Sequence, residues 1–160
     1  MVEKILDLAI AYNGKDVKRI NHLLKVHSFA RHIGIMENCD ARLQTIIEIA
    51  ALLHDIGIHE SERKYGTSTA NWQEIEGPIV AKELFKNLDL DISIQERVLF
   101  LIGHHHSYNA IDGIDFQILV EADFLVNIFE HETGKDSLNG IKKDHFKTGA
   151  GTRLLEEMYM

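Results

Sequence analysis

Cysteine and proline are almost missing from this sequence, which contains one residue of each, Cys39 and Pro78. A single cysteine excludes an internal disulfide, so we expect a protein of a reducing compartment such as the cytoplasm. The sequence also opens without the positively charged and apolar stretch of a secretory leader. No apolar run is long enough to span a bilayer, which excludes a membrane-spanning protein, and we expect no membrane partner.

Positive charge is scarce as well, because 17 Lys and Arg stand against 25 Asp and Glu and give a formal net charge of −8. This sign is wrong for a protein that grips duplex nucleic acid over a broad face, so we expect no such partner. A local basic pocket can still bind a small anion. With 160 residues the chain is long enough to bury a core of its own, and we expect one domain over residues 1–160. The sequence does not indicate an oligomeric state.

The apolar residues recur mostly at steps of three and four, which predicts an all-α fold, a compact bundle of six or seven helices. Asp16 and Asp40 are the expected N-caps of the second and third helices, and Ser93 with Glu96 forms a capping box for the fifth. The third helix is apolar nearly all round and is expected to be the central buried one. The predicted helices cover about residues 3–12, 16–38, 40–57, 78–88, 93 to the histidine run, 116–131, and one or two more between 140 and 158.

Several further features of the sequence concern where these helices begin and end. Residues 58–72 are expected to form an exposed loop, and Asn139-Gly140 a turn. Pro78 suits the first turn of the fourth helix. The alternation over residues 88–92 suggests a strand, but it is too short to outweigh the capping box that follows. Residues 149–152 lack the spacing of a phosphate-binding loop and are expected to begin the last helix.

Four polar side chains fall where the helical pattern asks for core residues. His27 follows Val17, Ile20 and Leu24 on the second helix at steps of three, four and three. On the third helix an apolar stripe ends at His54, with Asp55 directly after it, and on the sixth helix Asp123 lies on a strongly apolar stripe. A buried carboxylate is normally protonated, paired or bound to metal. One divalent metal ion would satisfy all four side chains, so the pattern predicts a metal site.

The other histidines divide into candidates and non-candidates. The apolar stripe of the fifth helix leads to His104 and His105, which are further possible nitrogen ligands. His59 is left open. His22, His131 and His145 are interpreted as surface residues. His32 and His106 are interpreted as lying outside the ligand shell.

The order His27, then His54-Asp55 within Leu-His-Asp-Ile-Gly, then Asp123 resembles the HD-domain superfamily of metal-dependent phosphohydrolases. The resemblance spans about residues 20–130. It implies an all-helical fold with the metal between helices. Carried over residue by residue, it implies that His27, His54, Asp55 and Asp123 are the ligands of one metal ion.

Many superfamily members with two metals add a His earlier in the chain and a His or His-His before the last Asp. His104-His105 matches the second feature, whereas Glu76 stands where the earlier His is usual. A carboxylate at that position can bind a second metal, hold a water or do neither. The resemblance therefore implies one or two divalent ions, and the ligand types do not distinguish Mn, Fe, Co, Ni, Mg and Zn.

Two departures from the superfamily pattern concern the substrate. Ile58 stands where many relatives carry a Lys, which removes one phosphate contact and leaves Arg31, Arg63 and Lys64 as the basic candidates for substrate binding. The sequence also lacks the Gly-Tyr-Pro segment of the cyclic dinucleotide phosphodiesterase branch, so we do not expect that activity.

The resemblance implies hydrolysis of a phosphate monoester or diester, in a nucleotide or other small phosphorylated metabolite, by a metal-activated water. Asp55 is expected to bind metal and orient that water, and Glu76 or His59 to transfer a proton. Two alternatives remain. A di-iron oxygenase of HD type would draw extra ligands from His104, His105 and Glu76, and a non-catalytic sensor domain would bind a nucleotide or metal without turnover.

Overall fold

The computed structural model describes residues 1–160 and is all-helical, as the sequence predicts. Nine α-helices are joined by short connections, and a single 3-10 turn lies at Tyr108–Ala110. The helices are α1 (Val2–Asn13), α2 (Val17–Met36), α3 (Ala41–Leu53), α4 (Ile58–Tyr65), α5 (Ala70–Phe85), α6 (Ile92–Ile102), α7 (Ile114–Glu130), α8 (Lys135–His145) and α9 (Gly149–Tyr159). None of them combines the length and the apolar character that a membrane crossing requires.

The predicted central helix lies at the centre of the fold. Every residue of α3 from Ile49 to Leu53 is buried, and α3 contacts α1, α2, α6 and α7. Its neighbours contribute apolar faces to one continuous core of 33 buried residues. Because α3 is enclosed by four other helices, the residues directly after its end are held inside the protein rather than at its surface.

Side-chain caps fix where α2, α3 and α6 begin. The side chain of Asp16 accepts from Arg19 N at 3.1 Å, and that of Asp40 accepts from Leu43 N at 2.8 Å, as predicted. The predicted capping box at Ser93 is wrong, because Asp91 caps α6 and accepts from the backbone of Ser93 and Ile94. This cap also explains why residues 88–92 form no strand.

The expected loop over residues 58–72 contains a helix, α4. The protein has nine α-helices, slightly more than the six or seven predicted. Only Ile58 and Ser61 of α4 are buried, and the rest of the helix is charged or exposed. Two buried positions are too few to produce a visible apolar stripe. Gly66, with φ of 70°, ends the helix in the left-handed conformation that glycine adopts without strain.

A predicted helix start and a predicted turn both lie inside continuous helices. Pro78 lies in the middle of α5 rather than in its first turn. Proline removes one backbone hydrogen bond, and here its ring packs where α6 ends at Gly103, at which a Cβ would lie 3.1 Å from the ring. Asn139-Gly140 lies within α8 and forms no turn.

A backbone crossing joins the end of α3 to α5. A Cβ on Gly57 would lie 2.5 Å from the backbone nitrogen of Gly77, and one on Gly77 would lie 2.6 Å from the side chain of Ile102. Gly57 has φ of −75°, so glycine is required here for space and not for its backbone conformation. This close approach fixes the turn that carries His54 and Asp55.

We expect Gly57→Ala to destabilise the protein by about 1–3 kcal/mol, because backbone atoms block the added methyl group. Gly140→Ala is the matched control, since nothing lies within 4 Å of the added carbon and α8 is helical there. It should stabilise the protein by about 0.5–1 kcal/mol. Urea unfolding measures both free energies. A Gly57→Ala protein as stable as the wild type would show that the backbone around Gly57 can accommodate the added methyl group.

Candidate metal centre

Five side chains from four regions of the chain converge below the surface. They are His22 from α2, His54 and Asp55 from the turn after α3, His105 from the turn after α6, and Asp123 from α7. The Nε2 atoms of His22 and His54 lie 3.2 Å apart. Asp123 Oδ1 lies 3.2 Å from His22 Nε2 and 3.6 Å from His54 Nε2. These distances place nitrogen and oxygen ligand atoms around a common point.

Asp55 connects two parts of this cluster through its two oxygens. Its Oδ2 lies 3.6 Å from the Nε2 atoms of both His22 and His54. Its Oδ1 lies 3.4 Å from His105 Nε2. One group of possible metal ligands is therefore His22, His54 and Asp123, and a second is Asp55, His105 and His106, with the ligand atoms of each group within 4.8 Å of one another.

The structure corrects one member of the predicted ligand set. His27 faces away from the cluster, and its Nε2 lies 3.0 Å from Glu48 Oε2. The stripe that pointed to it is only partly buried, since Val17 at its start is 64% exposed. His22, interpreted as a surface residue, is buried and takes the place expected for His27.

A signal for His22 was present in the sequence. Val26, Ala30 and Ile33 follow it on α2 at four, eight and eleven residues, and all three are fully buried. Two apolar stripes therefore run along α2, about one residue apart, and only the fully buried one leads to the cluster. Choosing between such stripes requires knowledge of which face meets α3 and α7.

Each of the three imidazole rings is oriented by a hydrogen bond at its Nδ1 atom. The Nδ1 atom of His54 lies 2.9 Å from Ala51 O, and that of His105 lies 2.8 Å from Ile102 O. His22 Nδ1 lies 2.9 Å from Glu130 Oε2. These oxygens only accept, so each Nδ1 carries a hydrogen, and in the neutral rings each Nε2 presents its lone pair to the cluster. Metal-binding histidines are commonly held in this way.

Two buried atoms in the cluster lack hydrogen-bond partners, namely Asp123 Oδ1 and His105 Nε2. Buried polar atoms without partners are rare in proteins because they are unfavourable. The mixture of imidazole nitrogens and carboxylate oxygens is suited to a divalent transition metal or to magnesium. The residues present therefore fit a divalent metal ion, and its identity is not determined by them.

Opposite charges inside the cluster shift its pKa values. Burial lowers the pKa of His54, but Asp55 and Asp123 outweigh burial and raise it to about 9. The pKa of His22 is raised too, because contacts with Asp123 and Asp55 outweigh its burial. Burial raises the pKa of Asp123, and the two histidines outweigh that effect and hold it well below its usual range. A metal ion that binds here must therefore displace protons from the rings.

The candidates for a second metal are distributed differently from the prediction. His105 joins the cluster, as described above, whereas His104 turns to Phe100, with Nδ1 2.7 Å from its carbonyl oxygen. Glu76 is buried outside both ligand groups and accepts from Lys64 Nζ at 2.7 Å and from the Tyr65 hydroxyl at 2.8 Å. His106, expected outside the ligand shell, belongs to the second group.

A polar cavity of about 220 Å³ opens beside the cluster. Its lining residues are Asp16, Lys18, Arg19, His22, Asp55, Glu130 and His131, none of them hydrophobic. Arg19 contacts Asp16 and Glu62, whereas Lys18 forms no ion pair. Two of the cluster's side chains, His22 and Asp55, thus face a space that can admit a small polar molecule.

The basic side chains predicted to bind substrate do not line this cavity. Arg31 lies 3.8 Å from Glu48, beside His27, and is mostly exposed. Arg63 pairs with Glu60, and Lys64 pairs with Glu76. His59, a predicted proton-transfer residue, also lies outside the lining, with its Nε2 3.6 Å from Asp16 Oδ2.

We expect His22→Ala to lower the affinity for Co²⁺ by more than the ~10–100-fold that loss of an outer partner costs, because a ligand itself is removed. His27→Ala, on the same helix, should bind Co²⁺ like the wild type. Competition with a chelating dye measures both affinities. Loss of affinity in His27→Ala but not in His22→Ala would overturn the assignment.

Comparisons with known proteins give two matches. The sequence model of the HD domain matches residues 19–123, a segment that begins just before His22 and ends at Asp123. The structure is similar to the crystal structure of a predicted HD superfamily hydrolase from an uncultured Thermotogales bacterium, with a TM-score of 0.71 and 26% sequence identity. The match covers 98% of this chain and 84% of that one. No curated protein matches significantly.

Proposed function

Because the chain belongs to the HD-domain family, we propose that it is a metal-dependent hydrolase whose substrate is a phosphate ester of a nucleotide or other small metabolite. The family assignment confirms the resemblance stated from the sequence and supports the general class of metal-dependent hydrolase. The observation that carries the proposal of a small anionic substrate is the polar cavity, which reaches His22 and Asp55 and is lined by the cations Lys18 and Arg19 beside the carboxylates Asp16 and Glu130.

A bound divalent ion would acidify a water and neutralise charge on the phosphoryl oxygens. His22, His54 and Asp123 would hold it, with Asp55 as a further ligand. The side chain of Asp55 is 27% exposed and lines the cavity, so it can also accept a hydrogen bond from the attacking water and orient it. The second group, Asp55, His105 and His106, would hold a second ion if the site is dinuclear.

Of the three predicted catalytic residues, Asp55, His59 and Glu76, only Asp55 lines the cavity. Glu76 already accepts from Lys64 and Tyr65, which occupies both of its oxygens. We therefore assign Glu76 a structural part, in which it ties α4 to α5. His59 can influence the cavity only through Asp16.

Substrate binding is assigned to Lys18 and Arg19 in place of Arg31, Arg63 and Lys64. Arg19 is partly neutralised by two carboxylates, whereas Lys18 is free to pair with a phosphate oxygen. The net charge of −8 disfavours duplex nucleic acid as the partner.

The function is tested by loading the purified protein separately with Mn²⁺, Fe²⁺, Co²⁺, Ni²⁺, Mg²⁺ and Zn²⁺ and supplying a broad panel of phosphomonoesters, phosphodiesters and nucleotides. We expect metal-dependent turnover of at least one substrate, with activity reduced to background in Asp123→Ala. Binding without product would support the sensor alternative. Iron content with a visible absorption band and no phosphate release would support the di-iron oxygenase. Either result would contradict hydrolysis.

For the substrate found in that panel, we expect Lys18→Ala to raise KM by about tenfold, the effect of losing one charge-assisted hydrogen bond. The value of kcat should change little, because Lys18 does not contact the ligand cluster. Arg31→Ala is the matched control and should leave both constants unchanged. Steady-state kinetics measures them, and a larger rise in KM for Arg31→Ala would show that substrate enters elsewhere.

A further inference from the structure

We propose that Glu130 is a positioning residue of the metal centre, which holds the ring of His22 in the tautomer and orientation that metal binding needs. The inference rests on the proposed metal-binding function and concerns a residue that the sequence pattern did not identify. Glu130 is the last residue of α7 and lines the cavity beside His22.

The hydrogen bond of His22 differs from those of the other two rings. His54 and His105 each donate to the main-chain carbonyl three residues earlier, so the local backbone fixes them. His22 Nδ1 instead donates to Glu130 Oε2, a side-chain atom of another helix, at 2.9 Å. Both side chains are largely buried, at 10% and 14% exposure. The orientation of His22 therefore depends on one carboxylate.

Lys25 holds that carboxylate in place from the other side. Its Nζ lies 2.6 Å from Glu130 Oε1, while Oε2 accepts from His22. Lys25 lies three residues after His22 on α2, on the same side of the helix. Glu130 is thus bound by two residues of α2 at once, which leaves its carboxylate little freedom to rotate away from the ring.

The same helix supplies both a ligand and this hydrogen-bond partner. Asp123 and Glu130 are seven residues apart on α7, about two turns, and therefore share a face. Asp123 approaches Nε2 of His22 and Glu130 approaches Nδ1 of the same ring. Helix α7 therefore contacts both nitrogens of the His22 ring and fixes the orientation of that ring relative to His54.

A carboxylate acceptor also makes the ring a better metal ligand. A negative charge beside Nδ1–H raises the basicity of Nε2. In other metal sites, replacing such a partner typically costs about 10–100-fold in metal affinity. In the absence of Glu130, the neutral ring is free to place its hydrogen on Nε2, where it blocks coordination.

Glu130→Ala and Glu130→Gln test the proposal, with Glu83→Ala as the control at an exposed glutamate on α5. The first measurement is the tautomer of His22 by long-range ¹H–¹⁵N NMR of the metal-free protein, at a pH above the measured titration of that ring. We expect the Nδ1–H form in the wild type, in Glu83→Ala and in Glu130→Gln, whose amide oxygen still accepts. Glu130→Ala should shift toward the Nε2–H form.

The second measurement is Co²⁺ affinity. We expect a loss of about 10–100-fold in Glu130→Ala, a smaller loss in Glu130→Gln, and none in Glu83→Ala. An unchanged tautomer in Glu130→Ala, with or without a loss of affinity, would overturn the positioning role. If the wild type bound no divalent metal, the proposed function would fail instead, and the NMR result would still report separately on whether Glu130 orients His22.

Discussion

Two carboxylates and three imidazoles meet inside an apolar helical core, and the free energy of burying them governs the rest of the structure. A buried carboxylate is tolerated only with an opposite charge or a strong hydrogen-bond donor beside it. Asp123 meets this condition through His22 and His54, and Asp55 through His54 and His105. Because these residues come from α2, α7 and the ends of α3 and α6, the helices must pack so that the groups coincide.

The packing around α3 satisfies this condition. The last five residues of this helix, Ile49 to Leu53, are all buried, and the helix contacts α1, α2, α6 and α7, so the turn at its end lies inside the core. Gly57 then lets that turn touch the backbone of α5, which leaves no room for it to move outward. His54 is enclosed, while Asp55 keeps a partial opening to the cavity. Of these two adjacent residues, His54 is thus buried and Asp55 is accessible from the cavity.

The sequence was sufficient for the parts of the site that depend on one helix each. His54-Asp55 at the end of a mostly apolar helix and Asp123 on an apolar stripe were predicted to point inward, and the structure brings them together. It was not sufficient for His22, because α2 carries two apolar stripes and only its contacts with α3 and α7 distinguish them. The cavity was equally hidden, since Lys18 and Glu130 come from different helices and share no spacing in the sequence. Short α4 and Pro78 within α5 were missed because tertiary contacts, not local patterns, stabilise them.

Anomalous X-ray diffraction from crystals of the protein loaded with Co²⁺ tests the central claim most directly, because it locates the ion without reference to activity. The account predicts a peak within coordination distance of His22 Nε2, His54 Nε2 and Asp123, with Asp55 adjacent. A peak beside His27 and Glu48, or none at the cluster in crystals that contain bound cobalt, would contradict it.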